Sequence, residues 1–156
     1  MTYTANNDPA REFLDSVRYA RLEYHRLSEK VKLLETQCEH ITATLKATPG
    51  GGSADTEKIW AALADESGRL YRQLRAVLER TGEVEDFIEK LPDPRHRLIL
   101  KLRYLDSMRW PEVNRHMSQG GVYYSDRQMF RLHGEALNSA RALWATTHEE
   151  EDKNAE

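Results

Sequence analysis

The sequence predicts an all-α fold, a long antiparallel coiled-coil hairpin followed by a C-terminal domain of short helices in helix-turn-helix order. Three observations carry this. Apolar residues recur at alternating steps of three and four along two long stretches separated by a Gly-rich break. Prolines and capping residues then divide a third stretch into short helices. The composition, 31% charged with a mean hydropathy of −0.77, suits long solvated helices better than one large globule.

After an N-terminal tail (1–8), the first helix opens at Asp8, a capping side chain, with Pro9 at the first helical position. Its seam is Ala10, Phe13, Val17, Ala20, Tyr24, Leu27, Val31, Leu34, Cys38, Ile41 and Leu45, about five heptads and more than a coiled coil needs. The Gly-rich loop 48–54 ends the helix. It is no phosphate loop, because Ala54 and Asp55 follow Ser53 where Gly-Lys-Ser/Thr would be required. The second seam is Ile59, Leu63, Leu70, Leu74, Val77, Val84, Ile88 and Leu91, interrupted by Glu66 and Thr81, with Trp60, Tyr71 and Leu78 widening the apolar face. Helices over about 9–46 and 56–91 would each span roughly 55 Å at 1.5 Å per residue. Two helices of matched length joined by a short loop imply the antiparallel hairpin, 9–91. A hairpin leaves apolar surface uncovered, so it is expected to form a homodimer or to grip a partner.

The helix-turn-helix domain is placed at 92–147. Asp93 and Pro94 start a helix that buries Leu98, Leu102 and Leu105, and Asp-Ser-Met-Arg breaks it. Pro111 restarts the chain with Val113 and Met117 inward, and Ser-Gln-Gly-Gly stops it again. Ser125 and Gln128 have the spacing of a capping box, and Tyr124 and Met129 that of a hydrophobic staple, so a helix begins at Asp126. Its front carries Arg127, Gln128 and Arg131. Arginine pairs bidentately with guanine and glutamine with adenine, which makes these three the candidate base readers; the plainer alternative is a charged surface helix. Met129, Leu132, Ala136 and Leu137 are expected to pack that helix inward.

The residues LPDPRHRLILKLRYLDSMRWPEV and YSDRQMFRLHGEAL resemble region 4 of sigma-70-type factors, and most nearly the phage late-gene transcriptional regulators of the ArpU and RinA type. The resemblance covers about a third of the chain. Arg109 and Asn114 stand where that family has a Ser or Thr cap and a small residue, and the 118–124 loop is longer than its usual tight turn. Within that loop, Tyr124 is expected to cover the core, while Tyr123 is suited to the core or to a sugar-phosphate backbone. The resemblance implies a phage or prophage sequence-specific DNA-binding transcription regulator, acting on double-stranded DNA in a bacterial cytoplasm. Host RNA polymerase is then a second candidate partner. Under this reading Ser125, Arg115, Arg95, Arg97 and Tyr123 join the DNA-binding set as phosphate contacts. The alternatives are an adaptor that grips RNA polymerase or another phage protein through the hairpin, and a DNA-packaging recognition subunit.

Charge is distributed unevenly. Residues 1–91 carry 13 basic against 16 acidic side chains, 92–144 carry 9 against 5, and 145–156 carry 1 against 5. A net +4 therefore coincides with the proposed reader, which is the sign a phosphate backbone selects. The acidic tail, 148–156, is expected to be disordered, either a solubilising end or a competitor for the basic face.

Other classes find little support. The histidines at 25, 40, 96, 116, 133 and 148 have no metal-ligand spacing, and neither a nucleophile elbow nor a dinucleotide fingerprint is present. The expectation is no enzyme, no cofactor and no metal. Cys38 has no second cysteine to pair with, and no apolar run is long enough for a membrane.

Overall fold

The computed structural model describes residues 8–47 and 54–154, and among them it is all-helical with no strand. The helices are α1 (Pro9–Ala47), α2 (Ala54–Glu89), α3 (Pro94–Leu100, continued by a π turn Lys101–Leu105), α4 (Trp110–Met117) and α5 (Asp126–Asn154). Residues 1–7, the break at 48–53, residues 155–156 and the side chains of residues 45 and 150–154 lie outside the description.

Contacts divide the chain differently from the sequence reading. One compact unit joins residues 1–18 to 80–156, and the other is 19–79. The base of the long helices thus belongs to the C-terminal domain, so the expected boundary at 91/92 falls inside one core. That core combines Ala10, Leu14 and Val17 of α1 with Val84, Phe87 and Ile88 of α2, then Leu91, Ile99, Leu100, Val113, Met129 and Ala136 from the segments that follow. Rings tighten the same junction: Phe13 lies edge-on to Phe87 at 5.4 Å and 5.0 Å from Trp144. Leu14 and Phe87, both buried, stand outside the expected seams.

Caps fix the entrances. Asp8 accepts the Arg11 N–H at 3.1 Å while its other oxygen receives the Arg141 guanidinium at 2.7–2.8 Å, tying α5 to the start of α1. Burial alone would raise the Asp8 carboxyl, but these donors hold it below its ordinary value. Asp93 caps α3 by accepting the Arg95 N–H at 2.8 Å. The Arg95 side chain also bonds it, and together these donors lower the Asp93 carboxyl to about 2.

The expected Leu98 stripe is corrected. Leu98 is 44% exposed, while Ile99, Leu100, Leu102 and Leu105 are buried. A π turn places an extra residue in one turn, so the face buried before Lys101 is not continued at α-helical steps after it. Ser107, at φ 54°, then reverses the chain toward α4. Of the expected tail 148–156, the described part continues α5, which runs unbroken to Asn154. Extending an existing helix costs far less than nucleating one, and Glu and Lys are good helix formers.

In the 19–79 unit Lys30 meets Glu66 and Gln73 meets the Ala20 carbonyl, so later residues of α1 pair with earlier ones of α2. Leu27, Val31, Cys38 and Val77 are buried here. Trp60, Tyr71 and Leu78 do not widen this apolar face; they are 48%, 74% and 64% exposed. Glu66 explains the interruption in the second seam. It is 7% exposed and held by Lys30 at 2.8 Å and Arg69 at 3.4 Å, while Oε2 has no partner among the described residues. The Lys30 hydrogen bond, ahead of burial, keeps the carboxyl below its usual value. A half-satisfied buried carboxylate is poorer than a packed apolar group. Glu66→Leu is therefore expected to raise the thermal midpoint and Lys30→Met to lower it, as read by circular dichroism melts.

Candidate nucleic-acid interface

The front of α5 is built by local rules. Ser125 Oγ accepts the Gln128 N–H at 3.3 Å and Gln128 Oε1 accepts the Ser125 N–H at 2.9 Å, a reciprocal cap. Tyr124 packs on the core cluster to which buried Met129 belongs. Before it, Gly120 and Gly121 take φ of 74° and 84°, values a side chain disfavours, and this lets the long loop turn.

α4 braces this front. Glu112 accepts the Arg109 N–H at 2.9 Å, which is half of a cap; the other half is missing because an arginine side chain has no acceptor. Asn114 donates to Asp126 Oδ1 at 3.2 Å and accepts the Ser118 hydroxyl at 2.7 Å, and Ser118 in turn receives the Tyr124 N–H. The residue that departs from the sigma-like pattern thus bonds α4 to the first residue of α5.

The predicted residues fall into two groups. Arg127, Gln128, Arg131, Ser125, Arg115 and Tyr123 are all exposed, Tyr123 to 83%. Arg127 and Arg115 make no hydrogen bond or ion pair among the described residues. Arg131, its side chain 82% exposed, pairs with Glu135 at 3.1 Å, a contact one helical turn long that water competes for. Gln128 is partly committed, since its oxygen also takes the Ser125 hydroxyl at 3.1 Å, leaving the amide nitrogen for an outside acceptor. The second group is engaged in the fold. Arg95 is bound to Asp93, and Arg97 donates to the Leu91 and Pro92 carbonyls at 2.6 and 3.2 Å, clasping the turn between α2 and α3.

One feature was missed by sequence reasoning. Phe130, 52% exposed, lies three residues after Arg127 on α5 and meets Trp110 edge-on at 4.9 Å. With Pro111, Arg115, Tyr123 and Asp126 these rings line a surface groove of about 450 Å³ between α4 and the front of α5. The signal was available: position 130 lies off the buried 129, 132, 136 stripe and three residues from Arg127, on the outward side. Gly134, one turn further, would have open space around an added Cβ, so the helix surface there is bare.

Behind the groove, His133 Nε2 lies 3.2 Å from the Tyr104 hydroxyl and its ring meets Trp110 at 4.9 Å. The Arg103 guanidinium stacks 5.0 Å from the Trp110 ring. Burial, reinforced by Arg11, Arg103 and Arg141, pushes His133 down to about 4 from 6.5, so it is neutral in the fold. The unfolded chain binds the extra proton between pH 6.5 and about 4, so the stability it confers is complete above 6.5 and lost as the pH falls toward 4. The part-open site screens this to about 1–2 kcal/mol. His133→Phe is expected to flatten the fall in thermal midpoint over that window; an unchanged slope would refute the assignment.

Among the described residues no cluster of acidic, His or Cys side chains could hold a metal, and no helix is long and apolar enough to cross a membrane. Comparison with protein-family models, with curated proteins and with solved structures finds no match.

Proposed function

We propose that the chain is a sequence-specific, double-stranded DNA-binding regulator of transcription, in which α3, α4 and α5 act as a sigma region 4-like helix-turn-helix and α1 and α2 as an antiparallel coiled-coil hairpin. The observation that carries this is the outward front of α5, where Arg127 is unpaired among the described residues and Arg131 is held only by an exposed neighbour. A reader helix needs donors that can enter a major groove without first leaving the fold. The excess of 9 basic over 5 acidic side chains in 92–144 supplies the phosphate attraction. Phe130 adds an apolar surface suited to a thymine methyl beside the arginines. Arg115 and Tyr123, across the groove, are placed for backbone contacts, whereas Arg97 serves the fold.

The test is selection of bound fragments from a pool of genomic DNA at near-physiological salt, followed by titration of the winning sequence. Recovery of one motif supports the reading. Uniform recovery of all fragments removes sequence-specific binding.

The adaptor reading keeps one specific support. In the 19–79 unit, Tyr19, Leu22 and Leu33 of α1 are 69%, 58% and 60% exposed, apolar surface that a polymerase or another protein could cover. Co-purification with polymerase, without selection of any DNA motif, favours it over the DNA reader.

A further inference from the structure

We propose that the outward face of α2 is a self-association surface, on which a second copy of this chain seats its own α2 antiparallel, with the two-fold axis beside residues 69–70. Trp60, Tyr71 and Leu78 do not serve the face turned to α1. Besides the inner seam through Leu63, Leu70 and Val77, α2 carries an outer one. Ala61, Ala64, Gly68, Tyr71, Arg75 and Leu78 follow at alternating steps of three and four, the spacing of a coiled-coil seam. All are exposed apart from Gly68, which is half-buried, and among the described residues of the unit none covers this face.

The outer seam is ordered by size. Its first three residues are small and its last three are large, so its two ends are complementary when reversed. In the antiparallel arrangement Ala61 meets the partner's Leu78, Ala64 meets the partner's Arg75 and Gly68 meets the partner's Tyr71, with the converse contacts across the axis. Every layer then sets a large side chain on a small one, which lets the helices approach closely. A parallel pairing would set small on small and large on large.

Charge selects the same register. On one shoulder of this seam Asp65 comes level with the partner's Arg72, and Lys58 with the partner's Glu79. Both are opposite-charge pairs, and symmetry doubles each. Little is given up to form them. Lys58 is 3.8 Å from Asp55 and Arg75 is 3.8 Å from Glu79, all highly exposed, and Arg72 lies over Gly68 with Nη1 3.5 Å from where a Cβ would stand. The residues from Ala54 to Glu66 are mainly acidic and those from Ser67 to Leu78 contain only basic charges, so an antiparallel copy matches opposite blocks along the whole contact.

Sedimentation equilibrium of the full chain tests this without DNA, so its outcome is separate from that of the DNA-binding reading. The expected result is a dimer at micromolar concentration. Arg72→Asp and Asp65→Arg are each expected to raise the dimer dissociation constant about tenfold or more, by placing like charges across the axis. The double variant Asp65→Arg/Arg72→Asp restores opposite charges and is expected to return dimerisation toward that of the original chain. Circular dichroism of each variant checks that helicity is unchanged. A chain that stays monomeric to 100 µM, a dimer insensitive to the single changes, or a double variant as weak as the singles overturns the proposal.

Discussion

A fragment comprising residues 92–156 is expected to be unfolded, although the sequence marks it as a domain. Cutting at 91/92 removes Ala10, Leu14, Val17, Val84, Phe87, Ile88 and Leu91 from the core that α3 and α5 close. It also removes Asp8, which receives Arg141, and the carbonyl of Leu91 that Arg97 clasps. A single truncation shows the scale: Leu14 is fully buried, and Leu14→Ala is expected to cost about 2–5 kcal/mol through lost burial and the cavity left behind. Small domains have total stabilities of about 5–15 kcal/mol, so losing seven such residues leaves no folded state. By contrast, replacing residues 19–79 with a flexible linker of about a dozen Gly and Ser residues should keep the 1–18 and 80–156 unit folded. Cooperative thermal unfolding of the linked protein and a flat melt for the 92–156 fragment are the expected pair of results. A cooperative melt from the fragment alone would show that the base of α1 and α2 is dispensable.

How much of this was legible follows from what each signal encodes. Heptad spacing reports which face of a helix is apolar, so α1 and α2 were placed nearly to the residue. It does not report which neighbour covers that face, and at Leu14 and Phe87 the neighbour is the C-terminal domain. Local hydrogen-bond chemistry was the most readable layer. Asp8, Asp93 and the Ser125–Gln128 box cap where their side chains demand. The phase change at α3 was not readable, because a π turn has no composition of its own and the leucines at 98, 102 and 105 fit an ordinary helix. At the candidate interface, exposure of Arg127 and Arg131 followed from the buried Met129, Leu132 and Ala136 stripe on the opposite face of α5. The engagement of Arg97 did not, since its partners are carbonyls of the preceding turn. Phe130 drew no reading, although its phase, off the buried 129, 132 and 136 stripe, points outward.

On the proposed DNA reading, Arg127→Ala is expected to weaken binding to the selected motif about 5- to 150-fold, the worth of one bidentate arginine–guanine pair, while binding to unrelated DNA changes little. Arg127 has no ion pair to break among the described residues, so its full donor set reaches the base. Arg131→Ala is expected to lose less, because Arg131 must first release Glu135, a surface pair worth about 0.3–0.5 kcal/mol. Glu135→Gln should then tighten binding slightly. Arg115→Ala is the control. As a phosphate contact it lowers affinity for motif and random DNA alike and reduces the slope of log affinity against log salt by about 0.9. Arg97→Ala is expected to act on the thermal midpoint first, through the lost clasp on Leu91 and Pro92. Titrations of motif and random duplexes at several salt concentrations separate these outcomes. If Arg127→Ala and Arg131→Ala follow the Arg115 pattern, losing motif and random DNA equally, the front of α5 lies along the backbone and does not read bases. A helix whose exposed arginines make no distinction between sequences would leave groove readout with no residues to perform it.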